Sequence, residues 1–289
     1  MQLISLLRNS SSGLKKMGED DMMTSIELAK RLRMHTVTMA HYSRESHVAS
    51  ALSICDIVAV LYNDILRKKC TNPKWEERDR FILSKGHACS AVYAALAETG
   101  YFSIDELNTQ CQDGSRLSGH ITYKNVPGVE LSTGSLGHGC CVAAGMALNA
   151  VLNKKEYRTF VLVGDGECDE GSVWEMALFA HQYKLENLTV IVDHNKMQAM
   201  GYCKDVADHV DLAEKWRAFG WETVEIDGHD HAQLKAALSK KGQEKPLCVI
   251  AHTIKGKGVS FMENNILWHY RDPQGEDYER ALRELEAQQ

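Results

Sequence analysis

Two stretches decide the fold: Thr159-Phe160-Val161-Leu162-Val163-Gly164-Asp165-Gly166 and Leu188-Thr189-Val190-Ile191-Val192-Asp193-His194-Asn195. Each opens as a short, uniformly apolar and β-branched run and breaks off in polar residues, the signature of a buried strand and its exit loop. Between them the pattern predicts a helix from about Ser172 to Tyr183. Strand, helix and strand in so short a span make a βαβ unit, whose strands run parallel and are covered on both faces. The predicted class is therefore α/β, a parallel sheet with helices on both faces. Trp221–Ile226 and Leu247–His252 read as later runs of the same kind.

Towards the N-terminus, Leu28, Leu32, His35 and Met39 fall on one helical face, and the periodicity returns at Ile54, Ile57, Val58, Leu61 and Ile65. The small and polar stretch Ser46-His47-Val48-Ala49-Ser50 reads as a loop. Ser84-Lys85-Gly86-His87 reads as another, ahead of an alanine-rich helix that stops near Gly100. Six glycines lie between Gly114 and Gly139, followed by a helix of small residues through about Leu152 that can approach its neighbours closely.

A chain of 289 residues with 44% hydrophobic and 25% charged composition is that of an ordinary globular protein with a large core. The formal charge of −6 contains no basic block that would track a phosphate backbone, so nucleic acid is excluded as the expected partner. Small anions must then be gripped by local features. Nine cysteines, an odd number without a Cys-x-x-Cys pair, argue against a disulfide framework or a zinc site and for a reducing, cytoplasmic setting. No apolar run approaches the roughly 20 residues of a membrane span. The opening MQLISLLRNSSSGLKK has some transit-peptide character, and is read as a frayed extension.

Gly164-Asp165-Gly166 and Asp193-His194-Asn195 stand at the carboxyl ends of consecutive strands, where doubly wound sheets bind their ligands. Asp165 and Asn195 are 30 residues apart, about what a turn, a helix and a returning strand need to bring two oxygens together. Mg²⁺ takes such oxygens in an octahedron and often keeps phosphate oxygens among its ligands. Gly-Asp-Gly alone is also what a tight turn with a capping aspartate looks like. The order of elements does not fit a Gly-x-Gly-x-x-Gly dinucleotide fingerprint, and no Walker lysine follows the glycines.

Taken together, the motifs resemble the thiamine-diphosphate enzymes, and most of all the N-terminal half of transketolase in its split, two-subunit form. The resemblance runs from about residue 25 to 272, through Asp79–His87, Pro127–Gly137, Gly164–Gly171 and Thr253-Ile-Lys-Gly-Lys-Gly258. It implies a thiamine-diphosphate/Mg-binding domain over 23–272, with an N-terminal extension at 1–22 and a C-terminal helical tail at 273–289. It implies Asp165, Asn195 and the main-chain oxygen of Met197 as Mg²⁺ ligands. Gly166 would offer its N–H to the diphosphate, and Gly134 and Leu136 would lie against the aminopyrimidine. His47, His87, His120 and His269 match family histidines that converge on cofactor and donor sugar, with His87, His269 and Asn195 also touching the cofactor. Glu170 and Glu175 match acidic residues that communicate between active sites near a subunit interface. The chain departs from the pattern at Ser46-His47-Val48-Ala49, where Gly-His-Pro-Gly is common, and at His138, where glutamine is usual.

The implied reaction moves a two-carbon ketol unit from a ketose, or ketose phosphate, to an aldose acceptor. In the family the glutamate that activates the pyrimidine and most of the phosphate grip belong to a following domain. The resemblance therefore implies a C-terminal partner subunit carrying the pyrimidine-binding domain, in an assembly of two copies of each chain. Other readings are a 2-oxo-acid dehydrogenase component, a deoxyxylulose-phosphate synthase type, and a non-catalytic regulatory subunit of the same fold.

Overall fold

The computed structural model describes residues 23–207 and 211–288; the extension read at 1–22 lies outside the described residues. Five strands form one parallel sheet. In chain order they are β1 (Arg80–Leu83), β2 (Thr159–Gly164), β3 (Leu188–His194), then, after a short antiparallel ladder of β4 (Met197–Gln198) with β5 (Gly201–Tyr202), β6 (Glu222–Asp227) and β7 (Leu247–His252). Their spatial order is β1-β2-β3-β7-β6, every neighbour parallel. The α/β expectation holds, and β2, β3 and β7 lie where the apolar runs placed them.

Alternation of side chains across each strand builds two cores. Phe81, Leu83, Phe160, Leu162, Ile191, Leu247 and Val249 point to one face, where they meet Leu28, Leu32, Ile57, Val58, Leu61 and the alanines of helix Cys89–Glu98. Ile82, Val161, Val163, Leu188, Val190, Val192 and Ile250 point to the other, against helices His138–Leu152, Gly171–Gln182 and Leu212–Ala218. Full burial of one such Val, Leu or Ile contributes about 1.5–3 kcal/mol, so both faces must be covered for these strands to exist. β6 departs from its expectation. It is an edge strand with Glu222, Thr223 and Glu225 on partly exposed positions, rather than one buried on both sides.

The first helix, Ser25–Ser43, is entered through a capping sequence in which the Thr24 hydroxyl accepts the Glu27 N–H (3.1 Å). Residues 273–289 carry helix Glu276–Glu286, whose Ala281 and Leu285 are buried with Val37, Ala40 and Val48. The expected loop at 46–50 is corrected. His47 takes a left-handed conformation (φ 74°) and helix Val48–Leu52 starts directly after it, with the Ser50 and Ala51 N–H groups on the His47 carbonyl. A helix this short spans too few residues to show a period. No helix among the described residues is long and apolar enough to cross a membrane.

The small-residue helix does make the close approach its composition allows. A Cβ on Gly139 would lie 2.8 Å from the Ser84 Cα, at the exit of β1. Alanine at 139 would gain up to about 1 kcal/mol in helix propensity, but forcing that contact costs about 1–3 kcal/mol. Gly139→Ala should therefore lower the urea midpoint at unchanged m-value. An unchanged or raised midpoint would show that the helix yields freely.

Candidate active site

Four loops leave the carboxyl ends of β1, β2, β3 and β7 on one edge of the sheet, and they contain Ser84–His87, Gly164–Gly166, His194–Met197 and Thr253–Gly258. Register pairs Gly164 with Asp193, so the two polar strand tips are adjacent. Asp165 is buried; its Oδ1 accepts the Gly166 N–H (2.8 Å) and its Oδ2 the Lys196 N–H. Burial, with the Asp193 charge adding, pushes the Asp165 carboxyl up to about 6, although the Lys85 charge and the two N–H donors pull the other way. Asn195, also buried, donates its Nδ2 to Asp193 Oδ2 (2.8 Å), which turns its Oδ1 towards Met197 to accept that residue's N–H (3.0 Å). The Met197 carbonyl faces the Lys255 ammonium (3.4 Å).

One carboxylate, one amide and one main-chain carbonyl thus stand in the adjoining loops at the β2 and β3 tips, tied by the Lys196 N–H on Asp165 and the Met197 N–H on Asn195. Among the described residues no group of three or more His, Cys, Asp or Glu forms a metal cluster. A cation here would rely on mixed oxygens, which suits a hard divalent ion and not a soft one. The Gly166 N–H, read as a diphosphate donor, is directed to Asp165 in this structure.

His47, His87, His120 and His269 come from four separate segments and converge. Each ring centroid lies within 6.5 Å of at least two others, with separations of 4.9 Å (His47 to His269), 5.1 Å (His47 to His87) and 5.9 Å (His47 to His120). The left-handed His47 backbone makes this possible, because its N–H bonds the His269 carbonyl (2.9 Å) while Ser46 Oγ meets its Nδ1 (2.9 Å). The Ile121 N–H bonds the Gly86 carbonyl (3.0 Å), tying the His120 segment to the His87 turn. Burial, reinforced by His120, Lys255 and Lys85, holds the His47 ring down to about 4. Burial, with Lys255 and His47 adding, holds His269 to about 3, and burial with Lys85 holds His87 well below its ordinary range. These three imidazoles are neutral at physiological pH. The buried Nδ1 of His269 has no hydrogen-bond partner among the described residues, an acceptor or donor left over for a ligand.

Gly134 lies beside this group; a Cβ there would meet only His120 Cδ2, at 3.8 Å, so the space it borders is open. Leu136 is half-buried next to it. Gly137, by contrast, must be glycine. It has φ 78°, and a Cβ would strike Ser172 Oγ at 2.2 Å. Glu170 and Glu175 are exposed at the start of helix Gly171–Gln182, away from the histidines.

Four buried charged residues, Lys85, Glu167, Asp193 and Lys255, lie inside the motifs, yet sequence reasoning assigns them no role. Asp193, fully buried, accepts from Ser53 Oγ (2.7 Å), Lys85 Nζ (2.5 Å), Asn195 Nδ2 (2.8 Å) and Thr253 Oγ1. Burial opposes its charge, but the Lys85 ammonium and these donors outweigh it and keep the carboxyl below its ordinary range. Lys255 is as buried, and its ammonium is lowered to about 8 by burial and the Lys85 charge. Glu167 accepts from Ser84 Oγ (2.5 Å), the Gly137 N–H (2.8 Å) and the Gly164 N–H (3.1 Å), stapling three loops. The signal that points to the lysines is their position just past buried strands, inside motifs of an otherwise acidic chain.

Residues 24–285 match the family model described as transketolase, thiamine diphosphate binding domain. The chain belongs to the transketolase family. It is 40% identical over 259 residues to one of the subunits of an apulose-4-phosphate transketolase from Phocaeicola vulgatus, covering 89% of this chain and 92% of that one. It is 41% identical over 244 residues to the 6-deoxy-6-sulfo-D-fructose transketolase subunit SqwG of a Clostridium species, covering 84% and 89%. A solved transketolase from Campylobacter jejuni superposes with a TM-score of 0.85 at 29% identity over 91% of this chain and 42% of that one. The chain thus spans nearly the full length of the two subunits and about two fifths of the solved transketolase.

Neutral, buried histidines make the transketolase fold acid-sensitive in a defined window. The unfolded chain takes up protons at these rings as pH falls through about 6.5, whereas the folded chain refuses them until about 4 at His47 and about 3 at His269. Their contribution to stability is whole above about 6.5 and drains as pH falls towards those values. A His47→Asn, His269→Asn double variant should therefore lose less melting temperature than the parent between pH 6.5 and 4.5. Parallel curves for the two proteins would contradict the assignment.

Proposed function

We propose that this chain is the diphosphate-binding subunit of a two-chain transketolase, acting with a partner to move a two-carbon ketol unit from a ketose to an aldose. The observation that carries this reading is the placement of Asp165, Asn195 and Met197 in adjoining, hydrogen-bonded loops at the β2 and β3 tips, together with the convergence of four histidines. Asp165, Asn195 and the Met197 carbonyl would hold Mg²⁺, whose charge would relieve the cost of the buried Asp165 carboxylate. Lys85 and Lys255 supply the positive potential a diphosphate needs. Gly166, Gly134 and Leu136 would border the cofactor, with His87 and His269. Bound thiamine diphosphate supplies a carbon nucleophile and an electron sink.

The chain's own work is to orient the sugar, exclude water and move protons. A neutral imidazole can take a proton from a donor hydroxyl at one nitrogen while giving one at the other, and each such group typically contributes about 10²–10⁴-fold. His47, His87, His120 and His269 are assigned this task. The two similar subunits act on ketoses ending in a phosphate or a sulfonate by their names, which favours an anionic, uncommon ketose here. The chain leaves the common pattern at Val48 and Ala49, which are buried and would act on that preference only through the His47 turn, and at exposed His138.

The partner would bring the pyrimidine-binding domain and the glutamate that activates the ring; the naming of two near full-length relatives as subunits supports it. Helices His138–Leu152 and Gly171–Gln182 expose Val142, Val151, Leu152, Leu178 and Phe179, and the second also exposes Glu175. Apolar surface of this kind, rimmed by charge, fits a second copy of the chain.

Asp165→Ala and Asn195→Ala should each abolish Mg²⁺-dependent binding of thiamine diphosphate to the assembled enzyme while shifting melting by only a few degrees. Calorimetry decides it, and unchanged affinity in both variants removes the metal assignment. The purified chain alone should show no transfer from a ketose phosphate to an aldehyde acceptor and gain it on addition of the partner. Full turnover by the chain alone, free of contaminating partner, would contradict the two-chain reading.

A further inference from the structure

A second cluster of buried ionisable groups lies behind the site. Asp56, on helix Cys55–Val60, is 5% exposed and bonds three residues: Arg33 Nη2, His229 Nδ1 (2.6 Å) and His231 Nε2 (3.1 Å). Burial works against its charge, and the hydrogen bonds from His229 and His231 together with Arg33 overcome it, so Asp56 is a carboxylate. The other nitrogen of His229 accepts the main-chain N–H of Ile254 (2.9 Å). An accepting Nε2 carries no proton, so the ring proton sits on Nδ1, where Asp56 receives it.

Ile254 is the residue between two that face the site. Thr253 donates its hydroxyl to Asp193, and Lys255 places its ammonium at the Met197 carbonyl. Two further bonds hold the same turn, from the Gly256 N–H to the Ala49 carbonyl (3.0 Å) and from the Asn264 N–H to the Lys255 carbonyl (2.9 Å). Lys255 reaches its place along a fully buried stem, so a small rotation of the Ile254 peptide carries its ammonium off target. Neither Asp56 nor His229 belongs to the four loops of the candidate site.

We propose that Asp56 and His229 are positioning residues that fix the Thr253–Gly256 turn, and through it Lys255, against the diphosphate side of the site. The inference rests on the cofactor reading above. Asp56 orients the ring and sets its tautomer; His229 holds the turn; Lys255 meets the anion. Loss of the acceptor leaves a partly buried N–H unpaired, and the turn must open to water or shift.

The test compares His229→Leu, which removes the acceptor, with His229→Gln, whose side-chain oxygen can replace Nε2. Amide exchange is followed in the full chain without cofactor, and binding of Mg²⁺–thiamine diphosphate by calorimetry in the assembled enzyme. In His229→Leu the Ile254 amide should exchange at least about tenfold faster while the β3 amides keep their rates, and the cofactor Kd should rise about tenfold. His229→Gln should bring both back to within about threefold of the parent. Parent-like exchange and affinity in His229→Leu would overturn the proposal. So would weaker binding that His229→Gln does not rescue and that accompanies faster exchange throughout the sheet, since that marks a general stabilising role. If the parent enzyme binds no thiamine diphosphate, the cofactor reading fails instead, and the Ile254 exchange rates still decide whether His229 holds the turn.

Discussion

A single carboxylate organises this molecule's working edge. Asp193 stands at the tip of the central strand β3 with no exposure to solvent and receives hydrogen bonds from Ser53, Lys85, Asn195 and Thr253. Those four residues belong to the turn between the first helices and to the loops after β1, β3 and β7. A buried charge left without its partners costs several kcal/mol, so all four segments must be in place together or the strand tip is unstable. Asn195 gains its orientation from the same interaction, because an amide that donates to Asp193 presents its oxygen on the other side. Glu167 plays the equivalent part for the loops after β1 and β2 and for Gly137.

Around that point the sheet supplies rigidity and the helices supply cover. Strands β2, β3 and β7 are too apolar to tolerate an uncovered face, which is why their positions are readable. Thr159–Gly164 and Leu247–His252 stand where the apolar pattern sets them, and β3 extends one residue beyond. β1 is hidden inside a motif, because Arg80-Phe-Ile-Leu83 is four residues long and shows neither alternation nor a sustained run. Val48–Leu52 is hidden for a different reason. The helix is started by a left-handed histidine and stabilised by burial against Trp268 and Val259, neither of which is local in sequence.

The candidate site divides in the same way. The oxygens proposed to hold a metal stand out in the sequence because strand ends and glycines mark their place. The histidines are legible only through the surrounding motifs, since a lone histidine carries no sign of its destination. Buried charges such as Asp193, Lys255, Asp56 and Glu167 cannot be separated from surface charges in the sequence, because burial is a property of the packed chain. Their partners lie as far away as Ser53 from Asp193, or Asp56 from His229.

The left-handed backbone at His47 has a bearing on how such a chain can diversify. Residues joined to Asp193 constrain one another, so a change in any of them disturbs the others. Ser46, Val48 and Ala49 carry no bond to that carboxylate; they sit on either side of a residue whose main chain is already pinned to His269. Val48 and Ala49 are buried and accept only apolar residues of similar size, whereas half-buried Ser46 can be exchanged for the loss of its bond to His47 Nδ1 while the main-chain bond to His269 remains. A lineage built on this fold therefore has its freest variation at position 46, one residue from the imidazole, while the segments joined through Asp193 stay fixed.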